Sequence, residues 1–135
     1  MAKLTGNCLC GNVSFVAEGD IALQANCHCT DCQQTSGSPF ATLLFMQEDK
    51  VEIKGELKSF THTVDSGNKL RKDFCPNCGA QMFGGNEARP GSLAIKAGVI
   101  NEKELIKPQF NVFAGSKVPC TILDDSIPAF EGMPS

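Results

Sequence analysis

Thiolates two or three residues apart can converge on one metal ion, and all but one of the eight cysteines in this chain are grouped to do so. Cys8 and Cys10 form a C-x-C, Cys27, Cys29 and Cys32 a C-H-C-x-x-C, and Cys75 and Cys78 a C-P-N-C-G, leaving Cys120 alone. Such near neighbours are poorly placed to bridge one another by disulfide. The two pairs together make a closed four-thiolate zinc site, and the triplet makes a second site with one position open. A closed site staples a fold, whereas an open one can do chemistry.

In Cys75-Pro76-Asn77-Cys78-Gly79, Pro76 presets a turn. Gly79 permits the positive φ that lets backbone N–H groups point at the sulfurs. Cys8-Leu9-Cys10-Gly11 supplies the second pair on a tight bend. The triplet needs no help from elsewhere to hold a metal, and an open zinc position beside it would bind a thiol or water and lower its pKa. Three other readings of the triplet stand beside this one: closure by Cys120 or a histidine, internal oxidation, and three plain buried cysteines. His28, between two ligands of an extended C-x-C, is expected to face away from the metal. His62, in a Thr-rich strand, reads as a half-exposed or core histidine, and Cys120 after Pro119 as a small buried side chain. Ser36-Gly37-Ser38-Pro39 follows the triplet; it is either a connecting turn or a loop whose N–H groups hold an anionic ligand.

The elements that must position these residues read as mostly β. Short runs rich in Val, Ile, Phe and Thr cover 13–17, 41–46, 51–54, 59–64, 70–74 and 93–97, punctuated by glycines. Ser66-Gly67-Asn68 reads as a hairpin turn between the runs at 59–64 and 70–74. Helix is limited to a turn at 30–34 after the triplet and another at 101–104. The whole, residues 1–135, is expected as one domain with a loose tail from about Pro128. Phenylalanine is the only aromatic type, so Phe40, Phe45, Phe60, Phe74 and Phe83 are candidates for packing the core.

Composition narrows the class. The hydrophobic share of 41% and charged share of 20% are those of an ordinary globular protein. The run from Ala41 to Met46 is too short to span a bilayer, and the N-terminal residues lack the apolar core of a secretory signal. The expectation is a cytoplasmic location, where clustered cysteines serve as metal ligands or redox groups. The formal charge of −3 would fall to about −6 with both zinc sites filled. An acidic chain whose only dense basic group is Lys69, Arg71 and Lys72 is a poor nucleic-acid binder.

C-x-C-G, then C-H-C-x-x-C-Q-x-x-x-G, then F-C-P-x-C-G, in this order and spacing, resembles the glutathione-dependent formaldehyde-activating enzyme family. That family includes the centromere protein V members. The segment Ser116-Lys117-Val118-Pro119 and the tail from Pro128 to Pro134 fit the resemblance too. It implies a mainly β, Mss4-like fold of short antiparallel sheets stapled by zinc. It implies a structural zinc on Cys8, Cys10, Cys75 and Cys78, and a second, catalytic zinc on Cys27, Cys29 and Cys32. The implied reaction is that of a carbon–sulfur lyase, joining glutathione and formaldehyde into S-hydroxymethylglutathione. Two departures mark this chain: Cys120 stands where family members often carry Trp, and Gln109 where they often carry His.

The reading that follows is a zinc-dependent carbon–sulfur lyase acting on glutathione or a related thiol and a small aldehyde, with no nucleic-acid or membrane partner. Cys27, Cys29 and Cys32 are its catalytic residues, and Ser36, Gly37 and Ser38 line its ligand site. Its rivals are a non-catalytic zinc-stabilised binding module and a thiol redox or metal-handling protein. A module without chemistry has no need of the second, three-thiolate site.

Overall fold

A computed structural model describes residues 1–133. Its strands are β1 (Ala2–Asn7), β2 (Ser14–Gly19), β3 (Leu23–Cys27), β4 (Ala41–Gln47), β5 (Val51–Lys54), β6 (Lys58–Thr63), β7 (Lys69–Phe74), β8 (Gln81–Asn86), β9 (Ser92–Lys96) and β10 (Phe110–Val112). The helix α1 (Thr30–Ser36) lies between β3 and β4, and short 3₁₀ turns complete the connections. The protein is therefore mainly β. The six runs rich in Val, Ile, Phe and Thr all fall on strands, with bounds shifted by a residue or two. Four strands carry no such signal. β8 contains Gly84 and Gly85, β3 holds Gln24 and Asn26, β1 is interrupted by Lys3 and Gly6, and β10 has three residues.

The strands form a three-stranded sheet, β1-β2-β5, and a seven-stranded sheet ordered β10-β3-β4-β9-β8-β7-β6. Both are antiparallel except at one edge, where β10 runs parallel to β3, pairing Val112 with Cys27. That pairing departs from the purely antiparallel expectation, because the chain comes back from β9 to the far edge of the sheet before β10. The two sheets face each other over a core that includes Leu4, Phe15 and Ala17 on one side and Leu44, Met46, Phe83, Leu93 and Ile95 on the other. Phe15 and Phe83 meet edge-on with ring centroids 5.4 Å apart. Because side chains alternate, the register Ala25↔Leu43↔Lys96 and Phe45↔Ala94↔Gly84↔Lys72 puts these residues on the opposite face of the large sheet. A second apolar cluster, Ala25, Cys27, Cys32, Ala41 and Val112, forms on that face.

Several expectations are corrected by packing. Phe60 is not in the core: it is 60% exposed on edge strand β6, while Phe83 is fully buried. Cys120 is exposed rather than buried. The segment from Pro128 is not loose. Asn111 donates its N–H to Pro128 O and accepts at its O from Phe130 N–H, and Phe130 packs on Phe110. Pro134 lies outside the described residues. No helix among the described residues is long and apolar enough to cross a membrane.

Candidate metal centres and the adjoining cleft

Two loops of similar build carry the paired cysteines. Each starts with a buried cysteine and closes on itself: Cys8 N–H donates to Val13 O at 3.0 Å, and Cys75 N–H to Ala80 O at 3.0 Å. Inside each loop a glycine takes the left-handed conformation that a side chain disfavours, Gly11 at φ 83° and Gly79 at φ 76°. The bends turn N–H groups onto sulfur, from Val13 to Cys8 Sγ at 3.3 Å and from Cys78 to Cys75 Sγ at 3.5 Å. A neighbouring glycine makes room. A Cβ on Gly55 would lie 2.2 Å from Asn12 O, inside the first loop.

The first loop joins β1 to β2 in the small sheet, and the second joins β7 to β8 in the large one. Their four sulfurs lie within 4.8 Å of one another. Cys8 Sγ and Cys10 Sγ are 3.6 Å apart, and Cys10 Sγ and Cys75 Sγ 3.7 Å. Sulfurs placed tetrahedrally on zinc at about 2.3 Å would be separated by about 3.8 Å. The donor set and its spacing therefore fit a closed metal site. Backbone donors hold the Cys78 thiol down to about 6, Ala80 first and then Cys10. Cys10 is lowered by Asn77 above all. Both shifts favour the ligating thiolate.

The triplet is built locally. Cys27 ends β3, hydrogen-bonded in register between Ala41 of β4 and Val112 of β10. Cys29 caps α1: its sulfur accepts from Cys32 N–H at 3.3 Å, so one helical turn brings Cys32 back beside it. The three sulfurs lie within 4.8 Å of one another, and no fourth Cys, His, Asp or Glu joins the group among the described residues. Cys27 donates to Cys29 Sγ at 3.4 Å. Hydrogen bonds from Cys27 and then Cys32 hold the Cys29 thiol far below its usual range. Cys27 is pushed up, chiefly by its hydrogen bond to Cys29. Cys32 is also raised. Its hydrogen bond with Cys27 acts downward but is outweighed by Cys29 and by burial. Cys29 is thus the thiolate the other two thiols share, and a metal bound by all three sulfurs would displace the remaining protons. This set fits a metal held by three sulfurs with a position left over.

His28 stays out of the sulfur group. It is buried, its ring tilted against Phe40 with centroids 4.9 Å apart, and its Nε2 meets Asn111 Oδ1 at 3.3 Å. Gln33 ties this corner together, donating through Nε2 to His28 O at 2.8 Å and Ser116 O at 2.9 Å. Cys120 joins neither sulfur group, so it does not close the triplet. His62 is half-buried on β6 with its ring stacked on Phe60. Gln109 serves β3: its Oε1 accepts from Gln24 N–H at 3.0 Å.

A cleft of about 450 Å³ opens between the loop after α1 and the second cysteine loop. Ser36, Ser38, Phe40, Gly79, Gln81 and Lys96 are among its walls. None of the three cysteines lines it; it reaches their surroundings through Ala41, which packs with Cys27 and Cys32, and through Lys96. Three donors of the serine loop are spent locally. Gly37 N–H caps α1 at Gln33 O (2.9 Å), Ser36 Oγ donates to Cys32 O (2.6 Å) and Ser38 Oγ to Phe40 O (2.8 Å). Lys72 and Lys96, both buried, are the residues of this face that a reading of the sequence passes over. Their signal is a lysine at an inward position of a strand, as in Leu93-Ala94-Ile95-Lys96.

Comparison with known proteins agrees with this geometry. The profile of the family described as "Glutathione-dependent formaldehyde-activating enzyme" matches residues 3–116. A protein of Talaromyces marneffei, named provisionally for that activity, is 27% identical over 117 residues, covering 84% of this chain and 62% of the relative. One from Pyrenophora teres f. teres, named in the same way, is 25% identical over the same length, covering 84% of this chain and 61% of the relative. The chain thus spans about three fifths of the length of these curated relatives. Among solved structures, the crystal structure of a Rhodobacter sphaeroides protein superposes with a TM-score of 0.59 at 16% identity, covering 93% of this chain and 99% of the other. At that identity the likeness is one of fold.

Proposed function

Because the chain belongs to the glutathione-dependent formaldehyde-activating enzyme family, we propose that it is a zinc-dependent carbon–sulfur lyase that joins glutathione, or a related thiol, to formaldehyde or another small aldehyde. The observation that carries this reading is the sulfur triplet one ligand short of closure, beside a cleft large enough for a small peptide. In this reading Cys8, Cys10, Cys75 and Cys78 hold a structural zinc, and Cys27, Cys29 and Cys32 hold a second. Zinc with an open position supplies Lewis acidity, which favours the thiolate form of a thiol and polarises an aldehyde carbonyl.

The chain's own residues do the rest. Cys29 and Cys32, fixed by the first turn of α1, and Cys27, fixed between β4 and β10, preset the three-sulfur group. Ala41 and Val112 cover its inner side with apolar surface and limit water there. Ser36 and Ser38 form a wall of the ligand site, with Gly37 between them. The reaction forms one carbon–sulfur bond and breaks the carbonyl π bond, and the thiol proton ends on the new hydroxyl. No electrons are exchanged, so the triplet need not cycle through a disulfide.

The test is the exchange rate between free and hydroxymethylated glutathione in formaldehyde solution, read by NMR with and without the zinc-loaded protein. Acceleration over the spontaneous rate is expected. A fully zinc-loaded protein that leaves the rate unchanged would overturn the reading and move the binding-module alternative ahead.

A further inference from the structure

Of the three sulfurs in the triplet, two share a carrier and one does not. Cys29 caps α1 and Cys32 lies in its first turn, tied together by the Cys32 N–H on Cys29 Sγ. Cys27 ends β3. A single residue, His28, separates it from Cys29, and neither β3 nor α1 includes that residue. Its conformation decides whether the third sulfur meets the other two. A preset site holds its groups to within about 0.5 Å, so this hinge has to be rigid.

The hinge is tied at three points. His28 N–H donates to Val112 O at 3.0 Å, His28 O accepts from Gln33 Nε2 at 2.8 Å, and the ring Nε2 meets Asn111 Oδ1 at 3.3 Å. The same Asn111 oxygen accepts from Asn26 Nδ2 at 3.2 Å, so one atom grips the residues on both sides of Cys27. Side chains alternate along a strand, which puts Asn26 and His28 on the face away from the Cys27 sulfur. Asn111, in register with Asn26 on β10, reaches them there. The amides are oriented in turn. Thr42 Oγ1 donates to Asn26 Oδ1 at 2.6 Å, which leaves Asn26 Nδ2 to face Asn111. Asn111 then presents its oxygen, and Nε2 is the nitrogen of His28 that donates. Stability alone does not account for this network. His28 and Asn111 are each 1% exposed, yet His28 Nδ1 and Asn111 Nδ2 are buried with no hydrogen-bond partner among the described residues. Each bare polar atom is a cost to folding that an apolar pair would avoid. An apolar pair would also leave the hinge untied.

We propose that Asn111 and His28 are positioning residues for the triplet: they lock the hinge that sets Cys27 against Cys29 and Cys32, and so preset the three sulfurs for a metal. The proposal rests on the part of the functional reading that gives the triplet a metal, and not on the lyase reaction. Neither residue touches the metal in this account; both act through the backbone that carries Cys27.

The experiment is competition for zinc between a graded chelator and the reduced, zinc-loaded full chain, with Cys32→Ser identifying the triplet's zinc by its loss. The chelator level that removes each zinc is compared among wild type, Asn111→Leu, His28→Leu and His28→Gln. Triplet affinity is expected to fall about 10–100-fold in Asn111→Leu and about tenfold in His28→Leu. His28→Gln, whose amide nitrogen can stand in for Nε2 as the donor to Asn111, should hold zinc close to the wild-type level. The four-sulfur site should hold its zinc equally in all four proteins, which a general loosening of the fold would not allow. Unchanged triplet affinity in the Leu variants, equal weakening of both sites, or His28→Gln no better than His28→Leu would overturn the proposal. The two His28 variants decide the matter even where Asn111→Leu does not fold. Wild type that takes zinc only at the four-sulfur site sinks the triplet's metal, and the proposal with it. Wild type that holds both, with the Leu variants unchanged, sinks the positioning role alone. No turnover enters the measurement, so failure of the lyase reaction leaves the result standing.

Discussion

The two sulfur clusters differ in how they are assembled. The four-sulfur cluster draws on loops 65 residues apart in the chain and spans both sheets. The three-sulfur cluster comes from a six-residue stretch, the end of β3 and the first turn of α1. Filling the first crosslinks the fold, so its binding energy is folding energy. Filling the second crosslinks little that local structure does not already hold. On the proposed reading, stability resides in the first cluster and chemistry in the second, and substitutions can separate them.

The largest effect is expected for Cys78→Ser. Structural zinc binding is worth about 10–16 kcal/mol, against a whole-domain stability of about 5–15 kcal/mol. The variant should show no cooperative melt by circular dichroism. Cys32→Ser should split the other way: glutathione–formaldehyde exchange falls at least about a hundredfold, while Tm moves by only about 2–8 °C. Equal damage from both substitutions would erase the distinction. Gly55→Ala sharpens it, because its Cβ would meet Asn12 O and distort the first cysteine loop alone. A loss of about 2–4 kcal/mol is expected, with turnover per folded molecule unchanged.

The smallest effect concerns the seam near the first loop. Glu102 accepts from Thr5 N–H at 2.7 Å and Thr5 Oγ1 at 2.6 Å. Burial alone would raise its carboxyl; the Thr5 hydrogen bonds outweigh burial and hold it below its usual 4.5. A group lowered on folding stabilises above the unfolded pKa and loses that contribution as pH falls through the folded one. Glu102→Gln should therefore melt slightly below wild type from pH 7 to 5, and the gap should close on further acidification.

Much of this contrast is written in the cysteine spacing, because ligand spacing is a local property. C-x-C-G and C-P-N-C-G announce their bends, and the triplet its helical turn. The strands with β-branched runs are legible for the same reason. What is not legible depends on register. β8, with Gly84 and Gly85, lacks a hydrophobic pattern and exists because β7 and β9 flank it. Lys72 reads as one of three surface cations until β7 pairs with β8 and turns it inward. The serine loop reads as an anion cradle until α1 ends on Gly37 and consumes its N–H. The tail from Pro128 likewise takes its place from long-range pairing with β10 rather than from local pattern.

The most direct measurement is zinc release from the reduced protein under rising chelator, followed together with the circular dichroism signal. The account predicts about two zinc ions per chain, one released with the fold intact and one only as the sheets unfold. A chain that takes up about one zinc even when supplied with excess metal, or that loses two together in a single step with unfolding, would contradict it.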